Sequence, residues 1–360
     1  MITKFSPCGH WSPEPLALER QKIKKGETQE FSCGKKMSQV KAAKSAVPTT
    51  KKSWPALVKK DFRQNWSLYL MILPVLAFYI IFCYTPMYGA LIAFKDYRPR
   101  TGILGSPWAQ PFYKHFYTFL TNPYFFRLLK NTLTISISSL VVGFPAPIIL
   151  ALLINELKSK WFTKITQTIT YLPHFVSMVV ICGMIHTFTA RDGFINDIIA
   201  LFGGERTTML NHPEYFVPVY VISGVWQEVG WGSIIYLSAL AGIDQELYEA
   251  ARIDGAGRLR QTWHITLPGI LPTVVIMLIL RMGSLLSVGY EKIILLYNAG
   301  TYETADVISS YVYRQGLGGE GGANAYSFST AVGIFNSIIN LILVIASNKI
   351  SKALTETSLW

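Results

Sequence analysis

Six stretches of the chain run on with almost no charge: 67–94, 131–155, 165–190, 215–243, 269–290 and 323–348. A helix of about 20 apolar residues covers the roughly 30 Å hydrocarbon core of a bilayer, so each stretch predicts a membrane span. Transmembrane strands would instead give segments of about ten residues that alternate apolar and polar. These runs are continuous, so the pattern predicts an all-α, polytopic membrane protein with six transmembrane helices. Pro74 and Pro86 predict kinks in the first span. The third is interrupted only by His174 and His186; Glu228 sits inside the fourth and Arg281 inside the fifth.

Between the fourth and fifth runs the pattern changes. Residues 249–268 read EAARIDGAGRLRQTWHITLP and carry Glu249, Arg252, Asp254, Arg258 and Arg260. Hydrocarbon does not accept that density of charge, so this is a loop outside the bilayer. Asp244 is placed to cap a short helix, with Glu246 in its first turn. Leu247, Ala250 and Ala251 then share a face. Gly255 and Gly257 predict a tight turn with positive φ. Arg258 to Ile265 predicts a second short helix, and Leu267-Pro268 with Pro272 marks entry to the fifth span.

The spacing of Glu249-Ala250-Ala251, Gly255, Ile265 and Leu267-Pro268 resembles the EAA loop of importer-type ABC permeases. The flanks resemble the sugar-permease group of that family, over about residues 60 to 350. The resemblance implies a type I, maltose-permease-like fold and a transport subunit for an oligosaccharide or polysaccharide fragment. It implies that Glu249, Ala250, Ala251, Asp254, Gly255, Ile265, Leu267 and Pro268 couple this chain to an ATPase. The implied partners are a second, non-identical permease, two ATPase subunits and an extracytoplasmic binding protein. The implied setting is a prokaryotic cell membrane.

Composition agrees with the membrane reading. The chain is 51% hydrophobic and 15% charged, where a soluble domain carries about a quarter charged residues. Net charge is +12, and most of the excess lies in residues 1–66. That segment is polar, lacks an apolar signal-peptide core, and reads as a basic cytoplasmic tail, largely disordered, with a short amphipathic helix near Trp54 to Trp66. Its lysines suit anionic lipid headgroups better than nucleic acid. Residues 67–348 then form the permease domain, with the coupling loop at 244–268, and 349–360 a short cytoplasmic C-terminus. With both termini inside, 22 Lys and Arg fall on the inner side against 9 outside, the bias that positive-inside orientation requires.

Other chemistry is thin. No G-x-x-x-x-G-K-[ST] phosphate cradle occurs, so the chain is read as binding no cofactor itself, with ATP and Mg held by the partner ATPase. Residues 316–321 fit G-x-G-x-x-G, but a dinucleotide site needs a βαβ unit, so they read as a flexible turn. Cys8, Cys33, Cys83 and Cys182 show no ligand spacing, so no metal is expected. His174 and His186 lack the H-E-x-x-H pattern of a membrane metalloenzyme, and no catalytic residue is assigned. An ion-coupled secondary transporter would usually show internal repeats, and none is visible. A non-sugar solute remains the alternative within the family. For the translocation path the candidates are Glu228 and Arg281, because intramembrane charge faces a cavity or a partner. Trp226, Trp231, Tyr236 and Tyr290 are the candidates for stacking on sugar rings, against the commoner uses of packing and interfacial belts. Glu291 and Lys292 read as solvated groups near the outer boundary. Ser329, Gly333 and Ser337 form a small-residue stripe for close helix approach on span six.

Overall fold

The computed structural model describes residues 61–319, 322, 325–355 and 358–359, without the side chains of 354 and 355. By contacts the chain divides into Met1–Leu73 and Pro74–Trp360. In the first unit most of the basic tail, including residues 54–60 of the expected amphipathic helix, lies outside the described residues. From Asp61 the chain is helical, and the Asp61 carboxylate accepts from Asn65 at 2.7 Å and Tyr69 at 2.5 Å.

Five described stretches are long and apolar enough to cross a bilayer: Trp66–Phe94, Phe125–Asn155, Met178–Leu201, Arg258–Met282 and Ala325–Ala353. The first begins as α1 (Trp66–Phe78) and ends in a π turn (Tyr79–Tyr84), a short turn and a 3-10 helix (Tyr88–Phe94). Pro74 is accommodated inside α1. The widened π turn precedes Pro86, which lacks the N–H to continue an α ladder. Next in the chain comes α2 (Lys114–Leu120). The second span is α3 (Phe125–Gly143) and α4 (Pro145–Asn155).

The third apolar run is not one helix, which corrects the continuous span over 165–190. It divides into α5 (Lys160–Tyr171), a 3-10 turn over Leu172–Phe175, and α6 (Met178–Thr189), followed by α7 (Phe194–Leu201). Val176 is extended, and the Ser177 hydroxyl accepts from Val180 N at 3.4 Å to start α6 afresh. Where the fourth span was expected, α8 (Pro213–Ala241) runs for 29 residues. That is about 43 Å of helix, ample to span, but with Gln227, Glu228 and three glycines it is less apolar than the others.

The polar loop follows as α9 (Gln245–Ile253) and α10 (Arg258–Gln261). The second short helix of the sequence reading is corrected: α10 passes through a π turn (Thr262–Thr266) straight into α11 (Leu267–Met282). Residues 258–282 are thus one 25-residue rod. The fifth span also ends earlier than residue 290. Residues 283–289 leave the helix, which resumes as α12 (Tyr290–Leu296). After α13 (Ile308–Gly316) comes a turn with Gly319 at φ 82°; Glu320 and Gly321 lie outside the described residues. The last helix, α14 (Ala325–Thr355), continues through the boundary drawn at 348.

Three buried clusters hold the second unit together. Ile135, Ile181, Phe216 and Ile293 join α3, α6, α8 and α12. Phe119, Leu128, Tyr311 and Val332 join α2, α3, α13 and α14. Ala151, Tyr236, Leu240 and Ile270 join α4, α8 and α11. Among the described residues no strand forms beyond the isolated bridge Lys95–Trp108. Between α12 and α14, Asp306 is fully buried and takes both Arg314 guanidinium nitrogens at 2.8 Å, with Ser310 donating at 2.7 Å. The hydrogen bonds to Asp306 push the Arg314 guanidinium further above its ordinary range. Of the small-residue stripe, Ser329 donates to Val312 O in α13 at 3.1 Å, whereas Ser337 returns to its own helix at Gly333 O. Only the first position of the stripe thus meets another helix of this chain through its hydroxyl.

Candidate functional site: a coupling loop and a polar cavity

Two places gather the residues singled out in the sequence. The first is the loop. Asp244 caps α9 through Glu246 N at 3.0 Å. The helix ends with Gly255 at φ 75°, Gly255 N bonded to Arg252 O at 3.1 Å and Ala256 N to Ala251 O at 2.8 Å. That pair of bonds is the Schellman closure, which needs the left-handed residue glycine supplies. Gly257, at φ −69°, is extended instead, so the positive-φ turn rests on Gly255 alone. Tyr248 OH meets Thr266 Oγ1 at 3.0 Å and Gln261 Nε2 donates to Ala256 O at 2.8 Å, so the two arms hold each other. Arg258 reaches Glu156, at the end of the second span, at 3.4 Å. Glu249, Ala250, Asp254, Gly255 and Pro268 are exposed; Ala251, Ile265 and Leu267 are half-buried. Leu247 faces outward, while Ile253 and Leu259 are 87% and 79% exposed. These side chains leave apolar area exposed on an otherwise charged loop.

The second place is a cavity of about 580 Å³ walled by α3, α4, α8, α11, residues 283–289 and α12. It takes in Glu228, Arg281, Trp231, Tyr236 and Tyr290 of the candidate path residues. Trp226 is excluded. Five positions before Trp231 on α8, it is turned by roughly 140° around the helix, and it is not in the wall. Tyr236 is mostly buried in the α4–α8–α11 cluster, so it edges the cavity rather than presenting its ring.

The charges are not paired with each other. His174 Nδ1 donates to Glu228 Oε2 at 3.0 Å, and its ring lies flat on Trp231 at 4.5 Å. The broken third span puts His174 there. Lys292 is buried, not solvated as its sequence position implied: Nζ donates to Tyr220 O at 3.0 Å and lies 4.7 Å over the Tyr220 ring. Arg281 sits in the last turn of α11, exposed to the cavity. Sequence reasoning did not single out Ser136, Ser139, Gln227, Ser284 or Ser287, which supply much of the polar wall. Hydroxyls and amides in apolar runs were the only signal. No group of His, Cys, Asp and Glu suited to a metal occurs among the described residues.

The model for binding-protein-dependent transport system inner membrane components matches residues 143–355, more than half of the chain. The chain belongs to this family. It is a transport permease subunit of an ABC importer, not an enzyme, and ATP hydrolysis resides on a separate subunit. It is 44% identical, over 88% of its length and 97% of the relative's, to the polygalacturonan/rhamnogalacturonan transport system permease YteP of Bacillus subtilis. It is likewise 44% identical to protein LplB of the same organism, over 86% and 94%. Among solved structures it is similar to a chain of a bacterial ABC transporter that imports the acidic polysaccharide alginate. The TM-score is 0.75 at 44% identity, over 83% of this chain and 99% of that one. A second structure of an alginate transporter, in complex with an alginate pentasaccharide-bound periplasmic protein, aligns with a TM-score of 0.74. These neighbours carry the family's all-helical permease fold over to this chain.

Proposed function

We propose that this permease passes an acidic oligosaccharide, a fragment of a uronate-containing polysaccharide, through a path that includes the cavity beside α8 and α11. The observation that carries the substrate class is the 44% identity, along nearly the whole chain, to a permease named for polygalacturonan and rhamnogalacturonan. The alginate transporter, similar to the same degree, points the same way. The proposed assembly pairs this chain with a second permease, two ATPase subunits holding ATP and Mg, and an extracytoplasmic binding protein.

The loop formed by α9 and α10 is the proposed ATPase contact. Its exposed Ile253 and Leu259 supply apolar area and Glu249 a charge for a cationic partner group. The rod over 258–282 connects that contact to the cavity, since Arg281 lies at its far end. Closure of the ATPase dimer would thus tilt one wall of the cavity directly. The test is to express the four-component importer and measure co-purified ATPase and oligogalacturonate uptake. Wild type should take up the acid in an ATP-dependent way. Glu249→Ala should lower both association and uptake severalfold at unchanged membrane insertion. No uptake of any uronate oligomer by wild type overturns the substrate class, and full association and uptake by the variant overturns the docking role.

Both termini are proposed to be cytoplasmic, in a prokaryotic cell membrane. A membrane-impermeant thiol reagent should reach single cysteines at 114 and 206 from outside, and at 160 and 258 only after permeabilisation. Labelling of residue 258 in intact cells inverts the topology.

A further inference from the structure

We propose that Arg281 is the specificity-determining residue by which this chain reads a carboxylate on its substrate. The inference rests on the reading above that the cavity belongs to the translocation path.

Four charged side chains line the cavity: Glu228, Arg281, Glu291 and Lys292. Two are hydrogen-bonded within the chain. Glu228 takes its hydrogen bond from His174. Lys292 is buried against the Tyr220 carbonyl and ring. Glu291 stands in the first turn of α12, where a negative charge is favoured by the helix dipole. Arg281 is different. Its position in the last turn of α11 suits a cation, but that satisfies a charge, not a guanidinium with five N–H donors. Among the described residues, no side chain or carbonyl accepts from its guanidinium. Arg281 stands exposed at the cavity, as expected of a charge within an apolar span, which faces a cavity or a partner group.

The missing partner is defined by shape. A guanidinium fork matches a planar carboxylate with two parallel hydrogen bonds, which an ammonium cannot do. The surroundings suit a sugar bearing that carboxylate. Ser284 and Ser287 lie a few residues along the same wall and offer hydroxyls. Trp231, stacked on His174, and Tyr290, stacked on Tyr313 at 5.4 Å, are both partly exposed at the cavity and add aromatic surface to its wall. A neutral sugar would leave the fork empty.

The experiment uses the assembled importer in proteoliposomes. It compares a galacturonate pentamer with its methyl ester, which has the same size and no charge. Arg281→Gln should cut uptake of the acid about tenfold or more relative to uptake of the ester, with co-purified ATPase retained. Arg281→Lys should recover only part, because it restores charge without the fork. If Arg281→Gln lowers acid and ester equally, or neither, the inference fails while the proposed substrate class stands. If wild type itself refuses the acid, the substrate reading has failed first. Should Arg281→Gln not assemble, Arg281→Lys decides alone: undiminished acid uptake overturns the role of the fork.

Discussion

Gly255→Val should reduce substrate uptake about tenfold or more while the protein still inserts normally into the membrane. The reason is backbone shape, not space. A Cβ built on Gly255 meets nothing within 4 Å, but φ is +75°. A residue with a side chain loses about 1–2 kcal/mol there, and a β-branched one more. Every 1.4 kcal/mol is about tenfold in an equilibrium. The Val variant therefore favours a loop in which the bonds from Gly255 N and Ala256 N are broken and α9 no longer folds back beside α10. Gly255→Asn is the companion variant, since asparagine tolerates the left-handed region. It should keep most of the uptake. Equal, wild-type uptake by both variants would mean that the turn does not govern coupling.

Gly230→Val should abolish uptake by a different route, by forcing α8 off α5. Gly230 is buried in α8 where that helix crosses the end of α5. An added Cβ would overlap the Thr170 carbonyl and come to 2.9 Å of Tyr171 N. These are backbone atoms and cannot swing aside, so the two helices must part. Overpacking of this kind typically costs about 1–3 kcal/mol. The displaced segment leads directly into His174, so its contacts with Glu228 and Trp231 go as well. The detergent-solubilised chain should melt several degrees lower. Gly183→Ala in α6, where nothing lies within 4 Å, should melt like wild type. A Gly230→Val protein with unchanged melting and uptake would show that α8 can move off α5 without consequence.

The contrast between these glycines explains what could be read in the chain and what could not. The turn at Gly255 is local: Asp244, the glycine and the Leu-Pro exit all lie within one stretch, so spacing revealed it. The continuous apolar runs likewise announced helices. The break at 172–177 was hidden. Pro173 stood in view, but Pro74, Pro218 and Pro272 stay inside their helices, so proline alone does not decide. What does is the Ser177 cap together with packing on α8, whose residues come more than fifty positions later. Lys292 was misplaced for the same reason, since its acceptor belongs to Tyr220, 72 residues away. Trp226 differs from the other candidates in its place on α8. Glu228 and Trp231 are three apart and share a helix face, whereas Trp226 does not lie on that face, and helical spacing alone would have separated them.

The π turn over Thr262–Thr266 acts as a phase setting between the two ends of the rod. A π turn holds one more residue than an α turn would use for the same path, and each residue turns a helix by about 100°. The azimuth of Leu259 relative to Arg281 is therefore fixed by a single extra residue near the start of 258–282. Deleting it would leave a straighter helix and an intact sequence at both ends, yet Leu259 would face about 100° away from its present bearing. In that sense the chain works like a keyed shaft: length can vary a little, but the angle between key and blade cannot.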